Sequence, residues 1–201
     1  ISGIRHPNSG QINLGCERIT LMFQEGALFD SLDVLDNVAF PLVHGHVPVS
    51  LLPRKKREEV TKKCVNILSR VGLEWATHKM PGELSGGMRR RVSLARALVS
   101  NPTAILLDDP TSGLDPVASS VIMNLIVEIQ RETKSSMIIA SHDLRRLLPV
   151  VDRFYALFDG HIQYNGKISD LEKAHCSEVK HFISCRYNFE NECGEKESAK
   201  V

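Results

Sequence analysis

No apolar run in this 201-residue chain approaches the ~20 residues that a membrane-spanning helix needs, so any role at a bilayer has to come through a partner. Excess charge of one sign is also missing. Twenty-five Lys and Arg against 24 Asp and Glu leave a formal +1, which argues against a dedicated nucleic-acid binder. The five cysteines (Cys16, Cys64, Cys176, Cys185 and Cys193) are an odd set without a Cys-x-x-Cys, so neither a zinc site nor a disulfide framework is indicated. Free thiols in a reducing compartment are the simplest account. His44-Gly45-His46 has metal-like spacing, but no Cys or third His stands near it in sequence. There is no internal repeat, no evident interdomain linker and no Gly-x-x-x-x-Gly-Lys-Ser/Thr segment. The only Gly-Lys pair, Gly166-Lys167, is followed by Ile168.

What is present suffices for a substantial core: 42% of the residues are hydrophobic, enough for one large domain or a core with a subdomain. The informative stretch runs from residue 83 to 115. Leu84-Ser85-Gly86-Gly87 precedes a segment in which Met88, Val92, Ala95, Leu98 and Val99 recur three or four apart, the spacing of one buried helix face. Ser85, Gly86 and Gly87 therefore fall at a helix N-terminus. Free N–H groups and the positive dipole end favour a phosphate there, and glycine permits close approach. A serine in that position is equally a simple helix cap.

Ala104-Ile105-Leu106-Leu107 follows as a short apolar run bounded by Asn101-Pro102 and Asp108-Asp109-Pro110, and reads as a strand buried on both faces. Two carboxylates where such a strand emerges lie at the carboxyl edge of a sheet, the usual ligand crevice of α/β folds. One can hold Mg2+ through water while its neighbour polarises an attacking water. A polar strand end with a capping Asp would look the same. Ser136-Met137-Ile138-Ile139-Ala140 is a second apolar strand, and it ends in Ser141-His142-Asp143. A histidine at that edge can donate to a phosphate oxygen or to the attacking water.

In this order and spacing, Leu84 to Gly87, the strand ending Asp108-Asp109-Pro110-Thr111, Ser112-Gly113-Leu114-Asp115 and Ser141-His142-Asp143 resemble the signature, Walker B, D-loop and switch histidine of ABC-type ATPases. Gln24, in Thr20-Leu21-Met22-Phe23-Gln24, is similar to their Q-loop glutamine. The resemblance spans residues 24 to 143. Gly26-Ala27-Leu28-Phe29, the segment Val34 to Leu42 and Met88 at the usual glutamine position look most like the ATP-binding subunit of Mla-type phospholipid transporters.

The resemblance implies an α/β fold: an ABC-type P-loop NTPase core with a mostly parallel sheet plus a helical subdomain at about 33–100. The whole is a single nucleotide-binding domain over 1–185, with 186–201 as a flexible tail. It further implies ATP and Mg2+ as ligands and a homodimer in which Gln24, Asp108, Asp109 and His142 of one subunit face Ser85, Gly86 and Gly87 of the other. In this scheme Asp108 and Gln24 contact Mg2+. Asp109, His142 and Gln24 serve the attacking water, and Ser112 and Asp115 line the dimer seam. The implied partners are transmembrane permease subunits and, through them, an MCE-type lipid-binding protein, with the ATPase peripheral on the cytoplasmic face of a bacterial inner membrane. The alternatives are the ATPase of another importer and a regulatory ABC module that does not hydrolyse ATP.

Two departures qualify the match. The phosphate-cradling loop and its lysine are missing. In the family that loop would lie just before residue 1, so these residues are expected to be a fragment of a longer protein whose 201 residues alone would be inactive. The other departure is Asp109, where most members of the family carry Glu. Its side chain is one methylene shorter, roughly 1.5 Å of reach, at a position where a base must come within hydrogen-bond distance of its proton.

Elsewhere the pattern predicts strands at Gln11 to Leu14 and Arg18 to Phe23, a helix over Val34 to about Pro41, and a helix from Arg54 to Val71. It also predicts a helix from Pro116 to Thr133 with Val117, Val121, Leu125 and Ile129 facing the core, and a short helix from Leu144. A hairpin is expected around Asp159-Gly160, and a last helix is expected to start at the capping-box spacing Ser169-Asp170-Leu171-Glu172. Arg96 is expected to be a structural ion-pair partner.

Overall fold

The computed structural model describes residues 2–15, 18–24, 26–173 and 177–184. The chain divides into two compact units, 1–141 and 142–201. In the first, β1 (Ile19–Met22), β2 (Ala104–Asp108) and β3 (Ser136–Ala140) form a parallel sheet in the order β1-β2-β3. Register places Thr20, Ile105 and Met137 side by side, then Met22, Leu107 and Ile139. That face is the sheet's contribution to the core, with Met22, Ile105 and Leu107 fully buried. All three strands point their carboxyl ends in one direction, which brings Gln24, Asp108 and Asp109 to one edge.

The opposite face differs from the expectation of burial on both sides. Ala104 and Leu106 are half-buried, and Ile138 is exposed. An apolar run of four cannot tell which of its two alternating faces is covered. Gln11 to Leu14 form no strand and are exposed, since no described strand offers their backbone a ladder.

Helices cover the face that carries Met22, Ile105 and Leu107. α1 (Val34–Ala39) starts at Asp33, whose side chain accepts from the Asp36 N–H, and ends before Pro41 as the pattern requires. α2 (Arg54–Arg70) buries Val60, Cys64, Ile67 and Leu68, which recur three or four apart along one face. α3 (Gly86–Leu98) buries Val92, Ser93, Leu94, Ala95, Ala97 and Leu98. α4 (Pro116–Thr133) has the predicted length but a different buried face: Ser119, Ile122, Met123, Ile126 and Ile129 point inward, while Val117 and Val121 are exposed. A strict fourfold step drifts about 40° per repeat around a helix of 3.6 residues per turn. The mixed three-and-four spacing of Ile122, Met123, Ile126 and Ile129 stays on one side.

In the second unit, α5 (Leu144–Leu147) precedes the antiparallel hairpin of β4 (Phe154–Phe158) and β5 (His161–Gly166). Its turn residues Asp159 and Gly160 have φ of 48° and 76°, as a two-residue hairpin turn with the sheet's own twist requires. Residues 168–173 make a 3-10 helix instead of opening the last α-helix, and the Ser169 hydroxyl donates to the Asp170 carboxylate at 3.4 Å instead of capping. That helix, α6, spans Ser177–Ser184. The tail expected at 186–201 lies outside the described residues.

Two buried polar groups organise the helical region. Asn37 is fully buried. Its Oδ1 accepts from the Phe29 N–H at 2.8 Å, and its Nδ2 donates to the carbonyls of Phe29, Leu32 and Asp33 at 3.0, 2.9 and 3.0 Å. Burial pushes the Asp36 carboxyl up, and the Val49 N–H, donating to it at 2.7 Å, partly offsets this. Close by, burial and then the Asp36 charge push the Cys64 thiol up to about 12.

Asn37→Ala leaves the Phe29 N–H without its acceptor, and urea unfolding is expected to show a loss of about 2 kcal/mol or more; an unchanged midpoint at unchanged slope contradicts this. Cys64 stays a protonated thiol at pH 8, so peptide mapping after iodoacetamide treatment is expected to find it alkylated only when the protein is unfolded.

Candidate nucleotide-binding edge

Every motif in the first unit sits where an element ends. Asp108 is the last residue of β2 and is exposed. Asp109 turns back into the protein: it is buried, its N–H donates to the Ala140 carbonyl at 2.8 Å, and its φ is 40°. Left-handed backbone is costly for most residues but more accessible to Asp and Asn. The Asp109 Oδ1 accepts from the Ser141 hydroxyl at 3.2 Å, which restricts the carboxylate. The pair of carboxylates is thus split, one open to solvent and one anchored.

The turn after Asp109 gathers the other residues. The Ser112 N–H donates to the Asp109 carbonyl at 3.1 Å. Its hydroxyl accepts from Gln24 Nε2 at 3.5 Å, and its carbonyl accepts from Nη2 of the buried Arg90 at 2.8 Å. Asp115 is the N-cap of α4, accepting from the Val117 and Ala118 N–H groups at 2.9 Å each. Ser85 caps α3, accepting from the Met88 N–H at 3.3 Å, so the cap reading of that serine holds. The cap does not exclude an anion, because the first N–H groups of a helix have no intrahelical partner. A Cβ on Gly86 would meet Leu114 Cδ2 at 3.4 Å, and one on Gly87 would meet Ala118 Cβ at 3.7 Å, so the start of α3 packs closely on the turn and on α4.

The structure therefore brings together Gln24, Ser112, Asp109 and, through Arg90, the helix that begins at Ser85. His142 is exposed and opens the second unit. The sequence motifs assign no role to Arg90 or Ser141. The signal for Arg90 was a charged residue in a core-facing slot, three after Gly87 and four before Leu94.

Among the described residues no group of three His, Cys, Asp or Glu is placed to hold a metal. The exposed Asp108 carboxylate and the exposed Gln24 amide fit a cation that brings phosphate and water oxygens with it, which is the habit of Mg2+. That ion, when bound, neutralises phosphate charge.

A parallel sheet with two carboxylates where its central strand ends, and a Ser-Gly-Gly helix start packed on the turn that follows, accord with an ATP-binding cassette. The ABC transporter family model matches residues 1–112, and the chain belongs to that family. Among curated relatives it is similar to the intermembrane phospholipid transport system ATP-binding protein MlaF of Haemophilus influenzae, 37% identical over 168 residues, covering 83% of this chain and 61% of that protein. It is also similar to the methionine import ATP-binding protein MetN of Carboxydothermus hydrogenoformans, 33% identical over 187 residues, covering 85% of this chain and 53% of that protein. Among solved structures it resembles the dimeric ATP-binding cassette MJ0796 in a post-hydrolysis state bound to ADP and phosphate. There the TM-score is 0.64 at 31% identity, over 76% of this chain and 63% of that one. The chain thus spans between half and two thirds of the length of these proteins.

Asp115→Ala removes the α4 cap and is expected to lower stability by about 1 kcal/mol, whereas Asp115→Asn retains it within a few tenths. Thermal unfolding of the two variants checks this, and equal losses would refute the capping role.

Proposed function

We propose that the protein containing this chain is the ATP-binding and ATP-hydrolysing subunit of an ABC transporter that moves phospholipid between bacterial membranes. The observation that carries the ATPase reading is the linkage Gln24–Ser112–Arg90 beside the anchored Asp109, with Asp108 open at the strand end. In this reading Asp108 and Gln24 hold Mg2+. Asp109 takes or orients the proton of the attacking water, its carboxylate held by Ser141. His142 donates to the γ-phosphate or to that water. Ser85, Gly86 and Gly87 present N–H groups to the nucleotide held by a second copy. Ser112 and Asp115 lie at the seam of the two copies.

Residues 33–100 serve as the helical arm of a domain extending to 185. The arm meets permease subunits, and through these an MCE-type lipid-binding protein, at the cytoplasmic face of the inner membrane. The likeness to MlaF and the segments Gly26 to Phe29 and Met88 support lipid as cargo. The likeness to MetN supports a second reading, the ATPase of a different importer. No helix of the described residues is long and apolar enough to cross a membrane, which accords with a partner doing so.

In the native-length protein, His142→Ala and Asp109→Asn are each expected to lower ATP turnover by at least about 100-fold while Mg-ATP binding changes far less. Negligible hydrolysis by the unaltered protein, equal to that of Asp109→Asn, would favour a regulatory module over an ATPase. Permease and phospholipid recovered with the protein from detergent extracts check the cargo; recovery of a permease without lipid would favour the other importer.

A further inference from the structure

The loop after Gln24 is held to α3 by an arginine that no motif assigns. Arg96 Nη2 donates to the Gly26 carbonyl at 2.9 Å, and its guanidinium stands over the Phe29 ring, 5.6 Å from the centroid. The expected ion pair is not found: no carboxylate among the described residues lies within reach of it, and burial alone depresses its pKa. A half-buried cation satisfied by a carbonyl and a ring face is a poor choice for stability alone.

The loop it holds is tight and strained. Gly26, at φ 84°, lies so close to α3 that a Cβ there would meet Ser93 Cβ at 3.3 Å and the Arg89 carbonyl oxygen at 3.5 Å. Ala27 follows at φ 42°, left-handed backbone that a residue with a Cβ adopts only when its surroundings impose it. Phe29 is fixed in turn, its N–H and carbonyl both bonded to Asn37. Gln24 thus stands at the start of a loop pinned at Gly26 by Arg96 and at Phe29 by Asn37.

We propose that Arg96 is a positioning residue that ties the Gln24 loop to α3, so that a movement of Gln24 on meeting phosphate and metal is carried along the helix to Ser85, Gly86 and Gly87. α3 is a continuous 13-residue helix, stiff enough to pass a displacement from one end to the other. The inference rests on the ATPase reading for its functional half: Gln24 serves one nucleotide and Ser85 the nucleotide of the second copy, so Arg96 links the two sites of the dimer. Lysine can still donate to the Gly26 carbonyl but cannot supply the planar face over Phe29.

The test uses Arg96→Met and Arg96→Lys in the native-length protein. Amide hydrogen exchange at residues 26–29 is expected to rise about 10-fold or more in Arg96→Met, with α3 amides unchanged and Arg96→Lys intermediate; unchanged exchange overturns the tether. ATP turnover is expected to show kcat lowered about 10-fold at nearly constant KM, with the Hill coefficient for ATP falling toward unity. Wild-type kcat and cooperativity in spite of a freed loop overturn the coupling. If the unaltered protein does not hydrolyse ATP, the ATPase reading fails and the coupling with it, while exchange still decides the tether. Should Arg96→Met fail to fold, Arg96→Lys and Phe29→Leu carry the same comparison.

Discussion

The hydrogen bond from the Asp109 N–H to the Ala140 carbonyl is the constraint from which the edge follows. It closes the last β2–β3 pair, Asp108 with Ala140, so the chain leaves the sheet only after Asp109 has donated. To leave at that point the backbone turns left-handed at Asp109, at a cost of order 1–2 kcal/mol. In return the Asp109 carbonyl accepts from Ser112, and the turn that follows presents both the hydroxyl and the carbonyl of Ser112 to Gln24 and Arg90. Asp115 then closes the turn by capping α4.

The same turn packs against the two glycines that open α3. A Cβ at Gly86 or Gly87 would meet Leu114 and Ala118 at ordinary contact distances, 3.4 and 3.7 Å, so packing alone does not require glycine at either position. Glycine weakens a helix by about 1 kcal/mol per residue relative to Ala, so its presence at the helix start needs a reason beyond helix formation. Unobstructed approach to the backbone N–H groups is one. Ser85 capping and Arg90 bonding to Ser112 then offset part of that weakness and fix the helix relative to the strand end.

The α/β class, the parallel strands and the bounds of α2, α3 and α4 were legible because each rests on an apolar run or a helical stripe closed by Gly, Pro or a capping residue. The carboxylates and the Ser-Gly-Gly were legible because they fall where such runs stop. The inward face of α4 was not, since four apolar residues at fourfold spacing imitate a stripe while drifting around the helix. The open face of the sheet was not, because alternation carries no sign of which side is covered. Arg90, Arg96 and Asn37 act through contacts 22, 70 and 8 residues away along the chain. A local pattern records only that a polar residue occupies an inward position, not what it meets.

Asp109 shows how a shortened side chain and a strained backbone belong together. Among residues with a Cβ, Asp enters the left-handed region more readily than Glu. The Asp109–Ala140 bond and the turn it starts demand that region here. The extra methylene of Glu would add about 1.5 Å of reach and more rotamer freedom to be lost in fixing the carboxylate. Asp, tied by Ser141 at 3.2 Å, exchanges reach for a defined position. The same turn also holds the Gln24 amide, which sits 3.5 Å from the hydroxyl of Ser112. The carboxylate is thus fixed from the end of β3 and the glutamine through the loop that Arg96 pins to α3, two separate anchors meeting on one turn.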